Sequence, residues 1–113
     1  AREIERMRAR RRAWMGKRQA IDPGGRQVIV VDDGLATGAS MIAALHAVRA
    51  RSPAHLVCAV PVAAADSLER VCKLADETVC LAAPVGFAAV GQYYLDFRQV
   101  EDAEVAAILQ ASP

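Results

Sequence analysis

Asp32 and Asp33 stand directly after the apolar run Val28-Ile29-Val30-Val31 and directly before the small-residue stretch Gly34-Leu35-Ala36-Thr37-Gly38-Ala39-Ser40. Two adjacent carboxylates can accept hydrogen bonds from a vicinal diol or hold a hydrated Mg²⁺. Gly38 and Ala39 have little or no side chain, so an anion can come close to the backbone N–H groups, and Thr37 and Ser40 add hydroxyl donors. The acids repel any anion held there, so the two groups must grip different parts of one ligand. A ribose 5-phosphate, particularly one activated with pyrophosphate, offers a diol, a phosphate and a metal partner at that spacing.

The flanking elements must present these groups. Four consecutive β-branched residues read as a strand over about Gln27 to Asp32, buried on both faces as inside a parallel sheet. The periodicity of Met41, Ala44, Leu45 and Val48 predicts a helix from Ser40 to Arg51. Its first N–H groups lack intrahelical partners and carry the positive end of the dipole. A nucleotide P-loop is excluded because Ala39 stands where its Lys would be, and a dinucleotide fingerprint lacks its third glycine.

Val28 to Ser40 resembles the signature of type I phosphoribosyltransferases, with hydrophobic strand, acid pair and Thr-Gly-x-Ser/Thr loop in place. That resemblance implies that Asp32 and Asp33 hold the ribose hydroxyls as the catalytic pair, while Ala36, Thr37, Gly38, Ala39 and Ser40 cradle the 5′-phosphate. It implies phosphoribosyl pyrophosphate (PRPP) and a nitrogen base as substrates, pyrophosphate as leaving group, and Mg²⁺ as cofactor, reached through Asp32 and Asp33 and not by a dedicated protein cage. Gly34 departs from the family's usual aliphatic residue and is expected to loosen the turn. Ala36 stands where 6-oxopurine enzymes carry a proton-accepting Asp, so a hypoxanthine or guanine reaction by that route is not expected. The resemblance covers Gln27 to about Phe97, the carboxyl-terminal half of the family's core. A complete enzyme is therefore expected to need residues upstream of Ala1, and the 113-residue segment alone is expected to be inactive.

Beyond the signature, His55 to Val62 and Glu77 to Ala82 read as further strands, with His55 a solvated residue at a strand mouth. Between them Leu68, Val71, Cys72 and Ala75 give helical spacing, with Asp66 and Glu69 at capping-box separation. Strands alternating with helices predict right-handed βαβ crossovers, hence an α/β, three-layer Rossmann-like parallel sheet with helices on both faces. Ligands of such sheets sit off the carboxyl ends of the strands, where Asp32-Asp33, Pro61-Val62 and Ala83-Pro84 fall. Val85 to Phe97 holds both Phe and both Tyr of the protein and suggests a wall for a planar base. It loosely resembles the base-binding stretch of hypoxanthine-type enzymes, which makes Phe87 and Asp96 candidate base-binding residues. A last helix is expected over Glu101 to Ala111, with Val105, Ile108 and Leu109 inward.

Residues 1–20 read as a separate basic helix with a thin apolar stripe, followed by the turn Asp22-Pro23-Gly24-Gly25 and a phosphoribosyltransferase-like domain over residues 27–113. Residues 1–18 carry eight basic side chains against Glu3 and Glu5, a net charge of +6, so the remainder carries −5 to give the overall +1. A nucleic-acid-binding regulator built on Arg2 to Arg18 is one rival reading, and a non-catalytic PRPP or nucleotide sensor is another. The bland expectation for this helix is a solvated basic face with Trp14 as a packing anchor. Hydrophobic residues make up 54% but aromatics only 4%, so one modest core of Ala, Val and Leu is expected. Cys58, Cys72 and Cys80 lack Cys-x-x-Cys spacing, which argues for buried thiols over zinc or disulfides. No apolar run spans a bilayer, so a cytoplasmic chain without a membrane partner is expected, with a homodimer as a candidate assembly.

Overall fold

The computed structural model describes residues 2–15 and 20–111. Its elements are α1 (Arg2–Met15), β1 (Gln27–Val31), α2 (Ala39–Arg49), β2 (His55–Val62), α3 (Ala65–Cys72), β3 (Glu77–Ala82), a 3₁₀ turn (Val90–Tyr93) and α4 (Asp102–Ala111). The predicted start of α1 at Ala1 and its extension over 16–19 lie outside the described residues.

Two compact units form, Asp22–Asp96 and a second made of Ala1–Ile21 with Phe97–Pro113. This division differs from the expected basic helix over 1–20 and domain over 27–113, because the chain's last helix packs on its first. In that second unit Trp14 Nε1 donates to Asp102 Oδ1 at 3.2 Å, and Arg10 lies 5.6 Å from the Trp14 ring centroid and 3.7 Å from the same carboxylate. Trp14 thus anchors the helix pair. Ile4, Met7 and Ile108 remain more than half exposed, so neither the α1 stripe nor the inward face expected of α4 is sealed.

In the Asp22–Asp96 unit the strands lie in the order β1-β2-β3, all parallel, with Val28 opposite Leu56 and Cys58 opposite Thr78. Met41 and Leu45 of α2 and Val71 of α3 join Leu56, Cys58 and Val60 in one buried cluster, flanked by Val28, Val30 and Cys80. Both crossover helices therefore cover the same sheet face, as two right-handed crossovers stepping in one direction must. The opposite face carries Ile29, Val31, Val79 and Leu81, exposed by 58%, 71%, 44% and 81%. The parallel α/β sheet is as expected, but this unit supplies only one of its two helical layers. Consequently β1 is not buried on both faces. It alternates, with Val28 and Val30 turned to the core.

Smaller corrections follow from packing. The cap of α3 is Ala64, without a side-chain bond, so Asp66 sits inside the first turn and the expected capping box is not made. Cys58 is buried and Cys80 half-buried, but Cys72 is exposed. His55 lies within β2, its ring nitrogens 3.8 Å from Asp76 and 3.4 Å from Glu77.

Candidate active site

The carboxyl edge of the sheet builds the site. After β1, Asp32 N–H still bonds the Ala59 carbonyl, and Leu35 then bridges to β2 through Leu35 N–H to Val62 O at 3.0 Å and Ala64 N–H to Leu35 O at 2.8 Å. Leu35 is 1% exposed and belongs to the core cluster, so it staples the loop to the strand tips. Between that staple and α2 the chain turns through Gly38, whose φ of 81° is left-handed and suits a residue without a Cβ. Gly38 caps α2, with Ile42 N–H donating to its carbonyl.

Asp32, Asp33 and the whole of Gly34 to Met41, together with Val90, line one concavity of about 270 Å³. All seven acid and loop residues expected from the sequence are thus brought together. Asp33 is exposed and its own N–H donates to Asp32 Oδ1 at 2.8 Å. Partial burial, then the hydrogen bond and charge of Asp32, push the Asp33 carboxyl above its ordinary value of 3.8. A hydroxyl donor or a cation facing the Asp33 carboxylate would favour its charged form.

The loop shows the opposite character. Thr37 Oγ1 accepts from Ala39 N–H at 3.3 Å, while the N–H groups of Thr37, Gly38, Ser40 and Met41 have no protein acceptor among the described residues. Acids at one end and spare donors at the other can receive a ligand with hydroxyls and a phosphate.

Sequence reasoning missed four contributors to this site. Ser67, 2% exposed, donates to Ala36 O at 2.6 Å, and Arg70 donates to Thr37 O at 3.0 Å. Their separation of three residues put both on one face of α3, which was the available signal. Val90 lines the concavity directly, and Tyr94 Oη donates to Asp33 O at 2.5 Å. Gly34 does not loosen the turn as expected. It is buried, and a Cβ there would lie 2.8 Å from both Val90 methyls and 3.1 Å from Val62. Phe87 and Asp96 do not line the concavity. Phe87 instead stacks on Tyr93, with ring centroids 5.5 Å apart and planes inclined by 18°.

Known proteins resemble this chain. A family model described as a phosphoribosyl transferase domain matches residues 4–98. Relatives from two strains of Mycobacterium tuberculosis, both provisionally named phosphoribosyl transferases, are 47% identical over 92 residues, 81% of this chain and 21% of each relative. The crystal structure of TT1426 from Thermus thermophilus superposes with a TM-score of 0.87 at 47% identity, covering 96% of this chain and 51% of that one. The chain therefore spans about a fifth of the named relatives and half of the solved neighbour.

Proposed function

The chain belongs to the phosphoribosyl transferase domain family, and from that membership we propose that its concavity holds the ribose 5-phosphate part of PRPP during transfer to a nitrogen base. The observation that carries this reading is the convergence of Asp32, Asp33 and Ala36 to Ser40 on one 270 Å³ hollow. In it the spare loop amides take the 5′-phosphate, and the two acids take the 2′- and 3′-hydroxyls.

Displacement of pyrophosphate breaks the anomeric C–O bond, whose electron pair leaves with pyrophosphate, and the base nitrogen forms the new C–N bond. The ribose ring becomes cation-like between those events. Asp32 and Asp33, fixed by the end of β1, draw electron density toward the ring through its hydroxyls and set the ring's orientation. Their work is electrostatic and geometric, and no protein nucleophile takes part.

Mg²⁺ is usually held by one or two carboxylates completed by phosphate oxygens and water. Asp32 and Asp33 fit that requirement, and no group of three or more His, Cys, Asp or Glu among the described residues could hold a metal alone. When bound, the ion supplies charge neutralisation for the leaving pyrophosphate.

The test is calorimetric titration of the full-length protein with PRPP and ribose 5-phosphate, followed by pyrophosphate release across a panel of bases. Asp33→Asn is expected to abolish binding without lowering stability. Because the native Asp33 pKa is raised above 3.8, its contribution to stability is lost as pH rises through the native value. At pH 7 the Asn variant should melt no lower than wild type. Binding of PRPP without pyrophosphate release for any base would place the domain among sensors; no binding of either sugar phosphate would refute the reading.

A further inference from the structure

We propose that Ser67 and Arg70 of α3 are positioning residues that aim the phosphate loop, an inference that rests on the ribose-phosphate reading above. Neither residue lines the concavity. Both act on the loop from behind, through its carbonyls.

The geometry runs through the peptide plane. No cis peptide bond occurs among the described residues, and in a trans peptide the N–H points opposite to the C=O. Ser67 Oγ draws the Ala36 carbonyl toward α3 at 2.6 Å, and Arg70 Nη2 draws the Thr37 carbonyl the same way at 3.0 Å. Those two peptide units also contain the N–H groups of Thr37 and Gly38. Holding the carbonyls on α3 therefore turns both amides away from α3, as donors for an anion in the hollow they line.

The two clamps are linked, since Arg70 Nη2 also donates to Ser67 Oγ at 3.3 Å, leaving the serine proton for Ala36 O. Space is closed behind the loop: Ser67 is 2% exposed, and a Cβ on Gly38 would meet the Ser67 Cβ at 3.4 Å. Arg70 also carries a full positive charge to the back of a loop that must face a dianion. A loop of small residues has few side chains of its own to set its peptide planes. A neighbouring helix supplies that order instead.

The experiment compares Ser67→Ala, Arg70→Met and Arg70→Lys in the full-length protein. It reads ribose 5-phosphate affinity by calorimetry, the ³¹P resonance of the bound sugar phosphate, KM and kcat for PRPP, and thermal melting. Ser67→Ala and Arg70→Met should each weaken ribose 5-phosphate about tenfold, the scale of one hydrogen bond with its alignment. KM for PRPP should rise with kcat within about twofold, since the acids that act on the ring are untouched. Arg70→Lys should recover part of the loss and move the ³¹P resonance back toward its wild-type position. If Ser67→Ala fails to fold, exposed Arg70 decides the matter through its two variants. Wild-type affinity in Arg70→Met, with only the melting temperature lowered, would show a bolt between elements and overturn the proposal. Wild-type protein indifferent to ribose 5-phosphate would instead remove the functional reading, and the positioning role with it.

Discussion

At Gly34 the requirement is for space, not for backbone freedom. Its backbone is not in the left-handed region, so the case for glycine there is the 2.8 Å approach of both Val90 methyls to a would-be Cβ. Separations that short force a shift of one partner, and Val90 belongs to the segment whose Tyr94 hydroxyl reaches back to the Asp33 carbonyl. A methyl at position 34 would therefore press on the cover of the acid pair. Gly34→Ala is expected to destabilise the protein by about 1–3 kcal/mol, the usual cost of overpacking. Val90→Ala alone leaves a void and costs about 1 kcal/mol. The double variant should be more stable than the sum of the two predicts, because the second change removes the clash made by the first. Urea denaturation of all four proteins measures that coupling, and strict additivity would mean that Val90 is not what excludes a side chain from position 34.

At the level of elements, the two ends of the sheet have different tasks. The carboxyl ends hold an acid pair that repels itself, while the opposite ends are stitched by ions: Arg49 of α2 donates to both oxygens of Asp76, and Asp76 Oδ2 accepts Leu56 N–H at the start of β2. Arg49 first, then the Leu56 amide, hold the Asp76 carboxyl below its ordinary 3.8. A depressed native pKa gives stability that is present above the unfolded value and lost as pH falls through the native one. Wild type should thus exceed Asp76→Asn in urea midpoint at pH 6, and the gap should close as the pH is lowered below about 4. A gap unchanged at pH 3 would remove the ionic account. Little of that stitching was legible beforehand, because it joins residues 27 apart in sequence. Strands and helices were legible, since β-branched runs and the Met41, Leu45, Val48 spacing are local signals. The acid pair and loop were legible for the same reason: their residue types alone state what they can bind. Ser67 and Arg70 were not, because their partners are carbonyls 31 and 33 residues away, and a carbonyl leaves no mark on the sequence.

For the molecule as a whole, the decisive fact is a sheet face left exposed among the described residues. Val28-Ile29-Val30-Val31 has the apolar continuity of a strand covered on both sides, yet Ile29 and Val31 are exposed by 58% and 71% here. Composition alone could not reveal this, for a strand's residues record that both faces suit burial and not where the second cover comes from. Leu45 and Leu81 turn the point into a measurement. Leu45 is 0% exposed within the α2 side of the core, whereas Leu81 is 81% exposed on the other face. Truncating a buried leucine removes its transfer energy and leaves a cavity, costing about 2–5 kcal/mol. Truncating one still in water removes almost nothing, within about 0.5 kcal/mol. In the 113-residue chain, Leu45→Ala should therefore shift the unfolding midpoint strongly and Leu81→Ala scarcely at all. The same pair made in a full-length protein separates two architectures. If further chain covers the second face, Leu81→Ala should become costly there while Leu45→Ala keeps its value. If Leu81→Ala stays silent in both, the face is solvent-exposed in the complete molecule, and its apolar side chains serve something other than this protein's own core.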